Sequence, residues 1–241
     1  MMSIVSKKGM PLEALERRFY QVSLPCEVLL QRPAEDQEAP PLVLCLHGYG
    51  MNPEDMLRLS AAAVGPSAIV ASARAPHPHY SPRPGPQAAV GYNWGVSPHW
   101  AEAVELHHSM VIAMLNLLRN ELGIPENRTF LLGFSQPVGL NYRLVATHPG
   151  LVRGVIGVCG GVPRDWEESK YQEVDAAILH ISRDQDEFYP VERSLEFPDR
   201  LRRHAADVEF HLLPGAHRFP SNAGVLIRAW ISRVLSGNFL K

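Results

Sequence analysis

Arg128-Thr129-Phe130-Leu131-Leu132-Gly133-Phe134-Ser135-Gln136 runs from an apolar stretch of strand character through a glycine and a serine into a helix start. The run to Phe134 has the length and content of a buried strand, and Gln136 to His148 has helical spacing. A serine at such a junction sits in a tight turn that lifts its hydroxyl above the end of a sheet. The amides opening the helix then favour negative charge beside it. Gly133 keeps bulk away from the turn. A serine that merely caps a helix has the same local look, so the surroundings must decide. Pro137 loses nothing by lacking an N–H in the first helical turn, but its ring threatens to crowd a neighbouring strand.

Working outward, Pro41 to His47 reads as a buried strand ended by Gly48. Asn52-Pro53 caps a helix running to about Val64, and Ala68 to Ala73 is the next strand. Residues Ala75 to Pro98, rich in Pro, Gly and His, form a long loop of the kind that tends to be functional. Trp100 to Leu122 is helical and stops at Gly123. Downstream come strands Val152 to Val158, Ala176 to Ile181 and Val208 to Leu213, with helices from Val191 to about His204 and from about Ser221 to Leu235. Near the start, Phe19 to Leu30 suggests a pair of short strands, followed by a polar loop from Arg32 to Pro41. Strand and helix alternate. That order predicts an α/β fold with a mostly parallel central sheet and helices on both faces, three layers in all. We expect residues 1–241 to form one domain, with 1–18 as an N-terminal arm and the whole as a monomer or homodimer.

The 241 residues are 46% hydrophobic and 20% charged, the composition of an ordinary globular chain. A formal charge of -2 and the lack of a Lys/Arg block argue against nucleic acid as partner. Lys7 and Lys8 are not followed by the apolar run of a signal peptide, and Met110 to Leu118 is too short to span a bilayer, so no integral membrane association is expected. Cys26, Cys45 and Cys159 form no C-x-x-C pair, and each reads as a small buried hydrophobe. The lack of a disulfide framework fits a reducing cytoplasm.

A serine hydroxyl needs a base to take its proton, and the base needs a third group to hold its tautomer. Hydrolases built on open parallel sheets place these in the order serine, acid, histidine, each after a strand. Ser182-Arg183-Asp184-Gln185-Asp186-Glu187 follows one strand, and Pro214-Gly215-Ala216-His217 follows the next. Among eleven histidines, only His217 combines a post-strand loop with that order. His77 and His79 lie in the long loop without a comparable ligand set, so no metal is expected. The residues alone leave Asp184, Asp186 and Glu187 open as the acid, although an aspartate such as Asp184 often satisfies loop amides instead. His47-Gly48-Tyr49-Gly50 follows the first long apolar strand, where a backbone N–H pairs with that of the residue after the serine to hold an oxyanion. That assigns the Tyr49 and Gln136 amides, with Gly48 close to substrate.

On these residues the chain resembles the phospholipase/carboxylesterase family of α/β hydrolases, the group that includes the acyl-protein thioesterases. The resemblance rests on Leu46 to Gly50, Leu132 to Gln136, Ala146 to Gly157, Asp186 four residues before Pro190, and Gly215 to His217, and it covers Leu42 to the C-terminus. It implies Asp186 as the acid, Ser135 as nucleophile, and hydrolysis of carboxylic esters or thioesters of modest acyl length without cofactor or metal. It also maps Trp94 to the acyl pocket, where a packing role is the other reading. Three departures stand out: Pro137-Val138 in place of Gly-Gly, Ser182-Arg183 in place of His-Gly, and a loose match around Tyr92-Asn93-Trp94. The alternatives are a catalytically impaired ligand-binding protein, for which the altered elbow speaks, and an acyltransferase or peptidase on the same scaffold.

Overall fold

Leu42, Leu44 and Leu46 turn to one core and Val43 and Cys45 to another, and all five are buried. A strand hidden on both faces belongs inside a covered parallel sheet. The computed structural model describes Glu16, Arg18, Tyr20 and residues 22–33, 38–80 and 90–238. Strands β1 (Val28–Gln31), β2 (Leu42–Leu46), β3 (Ile69–Ala73), β4 (His77–Tyr80), β5 (Val90–Asn93), β6 (Thr129–Phe134), β7 (Gly154–Val158), β8 (Ala177–Arg183) and β9 (Val208–Leu213) are joined by helices or loops. Seven of them form one sheet in the order β1-β3-β2-β6-β7-β8-β9, parallel except for the antiparallel edge strand β1.

The helices are α1 (Pro53–Val64), α2 (Trp100–Leu122), α3 (Gln136–Thr147), α4 (Val191–Ser194), α5 (Phe197–Leu201) and α6 (Ala223–Leu235). α1 and α6 pack on the face that carries Val43, Phe130 and Leu179, while α2, α3 and α5 cover the face that carries Leu44, Leu131 and Ile178. The three layers are as the alternation predicts. Strands β2, β6, β7, β8 and β9 run the same way, so the loops after them gather on one edge.

Four expectations need correction. Among the described residues a single strand, β1, stands where a pair was expected over Phe19 to Leu30, and Val22 and Leu24 ahead of it are exposed. The helix expected from Val191 to His204 breaks into α4 and α5, because Pro198 in the first turn of α5 has no N–H to continue the ladder from Ser194. The long loop after Ala75 contains an antiparallel ribbon, with His77 opposite Asn93 and Tyr80 opposite Val90. Cys45 and Cys159 are buried, but Cys26 is exposed in the segment leading to β1. The proposed arm at 1–18 lies outside the described residues except for Glu16 and Arg18. Among the described residues no helix is long and apolar enough to cross a membrane.

Burial pushes the rings of His107 on α2 and His180 in β8 down to about 3, and burial next to His148 takes His108 to about 4. Unfolded histidine titrates near ~6.5, so below that pH the unfolded chain binds protons that the native state refuses. The stability contributed by keeping these rings neutral is whole above about pH 6.5 and is lost as pH falls, by at most about 1.4 kcal/mol per unit per ring. Urea midpoints should therefore drop steadily from pH 7 to pH 5. His107→Leu, which removes a buried ring that neighbours Asn141 but makes no well-formed hydrogen bond, should make that slope shallower; an unchanged slope would count against a neutral buried ring.

Candidate active site

Ser135 joins β6 to α3 with φ 62° and ψ -111°. A non-glycine residue in that region costs about 1–3 kcal/mol unless its surroundings hold it there. Here the Ser135 N–H donates to the Val158 carbonyl of β7 at 2.8 Å, and the Ser135 carbonyl accepts from the Val138 N–H at 3.2 Å. Gly133 is required two residues earlier: a Cβ there would stand 2.7 Å from Asn141 Nδ2 on α3. The turn thus presents the serine side chain at the strand-end edge of the sheet.

The loop after β8 and the loop after β9 meet at that side chain. His217 Nε2 accepts from Ser135 Oγ at 2.8 Å, and His217 Nδ1 donates to Asp186 Oδ2 at 2.8 Å. The direction follows from the carboxylate, which only accepts. Asp186 Oδ1 also accepts from the Phe188 and Tyr189 amides at 2.9 and 3.0 Å, and the carboxylate is 1% exposed. Asp184 and Glu187 serve the loop backbone: they accept from the Gly215 and His217 N–H groups at 2.7 and 3.0 Å. Hydrogen bonds from its own backbone N–H and from that of His217 hold the Glu187 carboxyl below its ordinary value. Phe134, Phe188 and Tyr189 surround the imidazole, with ring centres 5.5, 4.7 and 6.0 Å away. These contacts leave the ring one orientation.

A cavity of about 690 Å³ opens beside Ser135 and His217, and Gly48, Tyr49 and Gln136 line it. Its apolar wall includes Met51, Trp100, Leu140, Val162 and Phe188. Sequence reasoning missed these residues, although Phe188 lies only two positions from the acid. Trp94 is not among them. It is fully buried, and its indole N–H donates to the His47 carbonyl at 2.8 Å. The packing reading of this tryptophan holds and the acyl-pocket reading does not.

The family model described as phospholipase/carboxylesterase matches residues 32–234. The chain belongs to this family. It is a carboxylic ester hydrolase of the serine-hydrolase type. No curated protein matches it in sequence. Among solved structures, it is similar to esterase PE8, with a TM-score of 0.68 and 21% identity over 88% of this chain and 100% of that one. The Bacillus cereus carboxylesterase superposes with a TM-score of 0.68 and 17% identity over 87% of this chain and 94% of the other. Arabidopsis thaliana SOBER1 gives 0.67 and 22% over 82% and 100%. At such identities the likeness is one of fold.

The three departures of this esterase from its family's pattern have local explanations. The crowding expected beside the serine comes from Val138, and β7 and the turn after it make room for it: a Cβ on Gly157 or Gly160 would stand 2.8 or 2.3 Å from the Val138 side chain. Ser182 is buried with its hydroxyl 3.1 Å from His180 Nε2, and the Arg183 guanidinium lies against Gly215, which has no Cβ to meet it. The segment around Trp94 ties the esterase's two cavity loops together. The Trp94 N–H donates to Gln136 Oε1 at 2.8 Å, and Gln136 Nε2 donates to the Gly95 carbonyl at 3.3 Å.

His47, whose role the sequence left open, fixes the first loop from beneath. Its Nε2 accepts from the Ala75 N–H at 3.2 Å and its Nδ1 donates to the Gly48 carbonyl at 2.8 Å. Burial holds this ring below the usual histidine range and so neutral. Gly50 and Met51 are stitched to Tyr92 by backbone bonds of 2.9 and 2.7 Å. This leaves the chain at Gly91 pressed on Gly50: a Cβ there would stand 2.0 Å from the Gly50 carbonyl oxygen. Gly91→Ala should displace the Gly48-Tyr49-Gly50 turn, lowering kcat/KM for an activated ester about tenfold or more and stability by about 1–3 kcal/mol. A variant with wild-type turnover and melting temperature would disprove the contact.

Proposed function

We propose that this esterase cleaves carboxylic esters or thioesters of small to medium acyl chains through an acyl-enzyme on Ser135. The reading is carried by the continuous line of hydrogen bonds from Ser135 Oγ through His217 to the buried Asp186. In it, His217 takes the serine proton as the hydroxyl oxygen attacks the carbonyl carbon, and Asp186 stabilises the imidazolium that forms. The Tyr49 and Gln136 amides receive the oxyanion. Two facts support this: both residues line the cavity, and the side chain of Gln136 is held at both ends. The imidazolium then protonates the departing alcohol or thiol, and water, activated by the same ring, releases the acid. The cavity volume suits an acyl group and a leaving group of modest size.

Ser135→Ala should abolish labelling by a fluorophosphonate and lower turnover of 4-nitrophenyl butyrate by at least about 10⁴-fold. Full activity in that variant would refute the assignment. Asp186→Asn should lose about 10⁴-fold in kcat, because the amide can donate and so favours the wrong tautomer. Asp184→Asn, which touches only loop backbone, should stay within about tenfold of wild type; the reverse ranking of the two aspartates would exchange their roles.

A further inference from the structure

Hydrolysis of a neutral ester needs no fixed charge in the acyl pocket, yet this cavity has one. Arg143, Arg164 and Arg193 line it, and among the described residues no aspartate or glutamate does. The chain as a whole has 23 Lys and Arg against 25 Asp and Glu, so a wall of one sign is not a sample of the average surface. The arginines come from separate elements: Arg143 from α3, Arg164 from the segment after β7, and Arg193 from α4.

Arg143 is committed to Asp165 at 2.5 Å and to the Tyr171 hydroxyl. Asp165 also holds Lys170 at 2.5 Å, and Lys170 reaches Glu168 at 3.0 Å, so two cations face two carboxylates and this cluster is neutral as a whole. The carboxyl of Asp165 is correspondingly held far below the ordinary carboxylate range by these hydrogen bonds, against the opposing pull of burial. Arg164 and Arg193 have no carboxylate partner among the described residues. A guanidinium offers a planar fork that fits a carboxylate or phosphate with two parallel hydrogen bonds.

Their position bears on the substrate. Gln136, Gly139, Leu140 and Arg143 line the cavity from one face of α3, at the three- and four-residue spacing of a helix stripe. Eight residues separate Ser135 from Arg143, about 12 Å of helix rise. Arg143 therefore springs from α3 about two turns past the serine, and Leu140 and Val162 line the same cavity as the three arginines, so the cavity offers both apolar and cationic wall to one substrate.

We propose that the natural substrate is an ester or thioester carrying an anionic oxygen group, separated from the scissile carbonyl by a short apolar spacer, and that Arg164 and Arg193, which have no carboxylate of their own, bind that group. The proposal deepens the reading of Ser135 as nucleophile and rests on it. The anion belongs to the acyl chain or to the leaving group, and the probes separate these sources.

One arm compares the 4-nitrophenyl monoesters of adipate and suberate with 4-nitrophenyl hexanoate and octanoate. The other compares hexanoate esters of 3-carboxy-4-nitrophenol and of 4-nitrophenol. In at least one arm the ratio of kcat/KM, anionic over neutral, should reach about tenfold at low salt and fall severalfold near ~0.5 M NaCl, as screening predicts. The R164Q/R193Q variant should lose about tenfold of that ratio, a readout that a general loss of folded enzyme leaves unmoved. Ratios near one in both arms, or a ratio unchanged in the variant, overturn the proposal, and Ser135-dependent turnover of the neutral esters would then leave the nucleophile in place. If no ester is hydrolysed and the fluorophosphonate fails to label, both readings fall together.

Discussion

A serine held at φ 62° between a strand and a helix is the constraint from which the rest of this site follows. The conformation is unfavourable by itself, so it persists only because neighbours leave no room for relaxation. Val158 takes the serine's N–H, Asn141 crowds the position of any Cβ at Gly133, and Val138 fills the space left by Gly157 and Gly160. The family's usual glycine pair after the serine is replaced here by a proline and a valine. The same close packing is achieved by moving the missing bulk to the facing strand.

Two loops converge on that elbow, and each is held by residues that do no chemistry in the proposed mechanism. Asp184 and Glu187 secure the backbone that carries His217, while His47 and Tyr92 secure the turn at Gly48 to Met51. Backbone amides of loops are cheap to satisfy in water and costly to leave unpaired when partly buried. Assigning a carboxylate or a neutral imidazole to each removes the alternatives in which the loops drift apart. Aromatic rings then limit the orientation of His217.

The histidines illustrate how burial sorts one residue type into different uses. His107 and His180 are sealed inside the fold, His180 with its two nitrogens against the Tyr142 and Ser182 hydroxyls, and both stay uncharged well into acid. His47 is also buried and bonded at both nitrogens, in its case to loop backbone, so it serves as a neutral strut. His217 is 11% exposed at the side chain, faces the cavity, and has an acceptor on one side and a hydroxyl on the other. Proton transfer needs that combination of access and partners.

The order of elements, the parallel sheet with helices on both faces, and the candidates Ser135 and His217 were legible in the sequence, because strand and helix have different hydrophobic periods and each candidate follows a strand. The choice among Asp184, Asp186 and Glu187 was open to the residues themselves. All three lie within a few positions of one another, and only the approach of the β9 loop determines which carboxylate meets the ring and which meet backbone. Trp94 failed as a pocket residue for a related reason: an aromatic in a loop has no periodicity to show its facing, and the indole N–H turned inward to the His47 carbonyl. The three arginines of the cavity are 21 and 29 positions apart in the sequence and form no motif. Their convergence is a property of strand order and loop packing, which bring distant side chains together through contacts that no local pattern encodes.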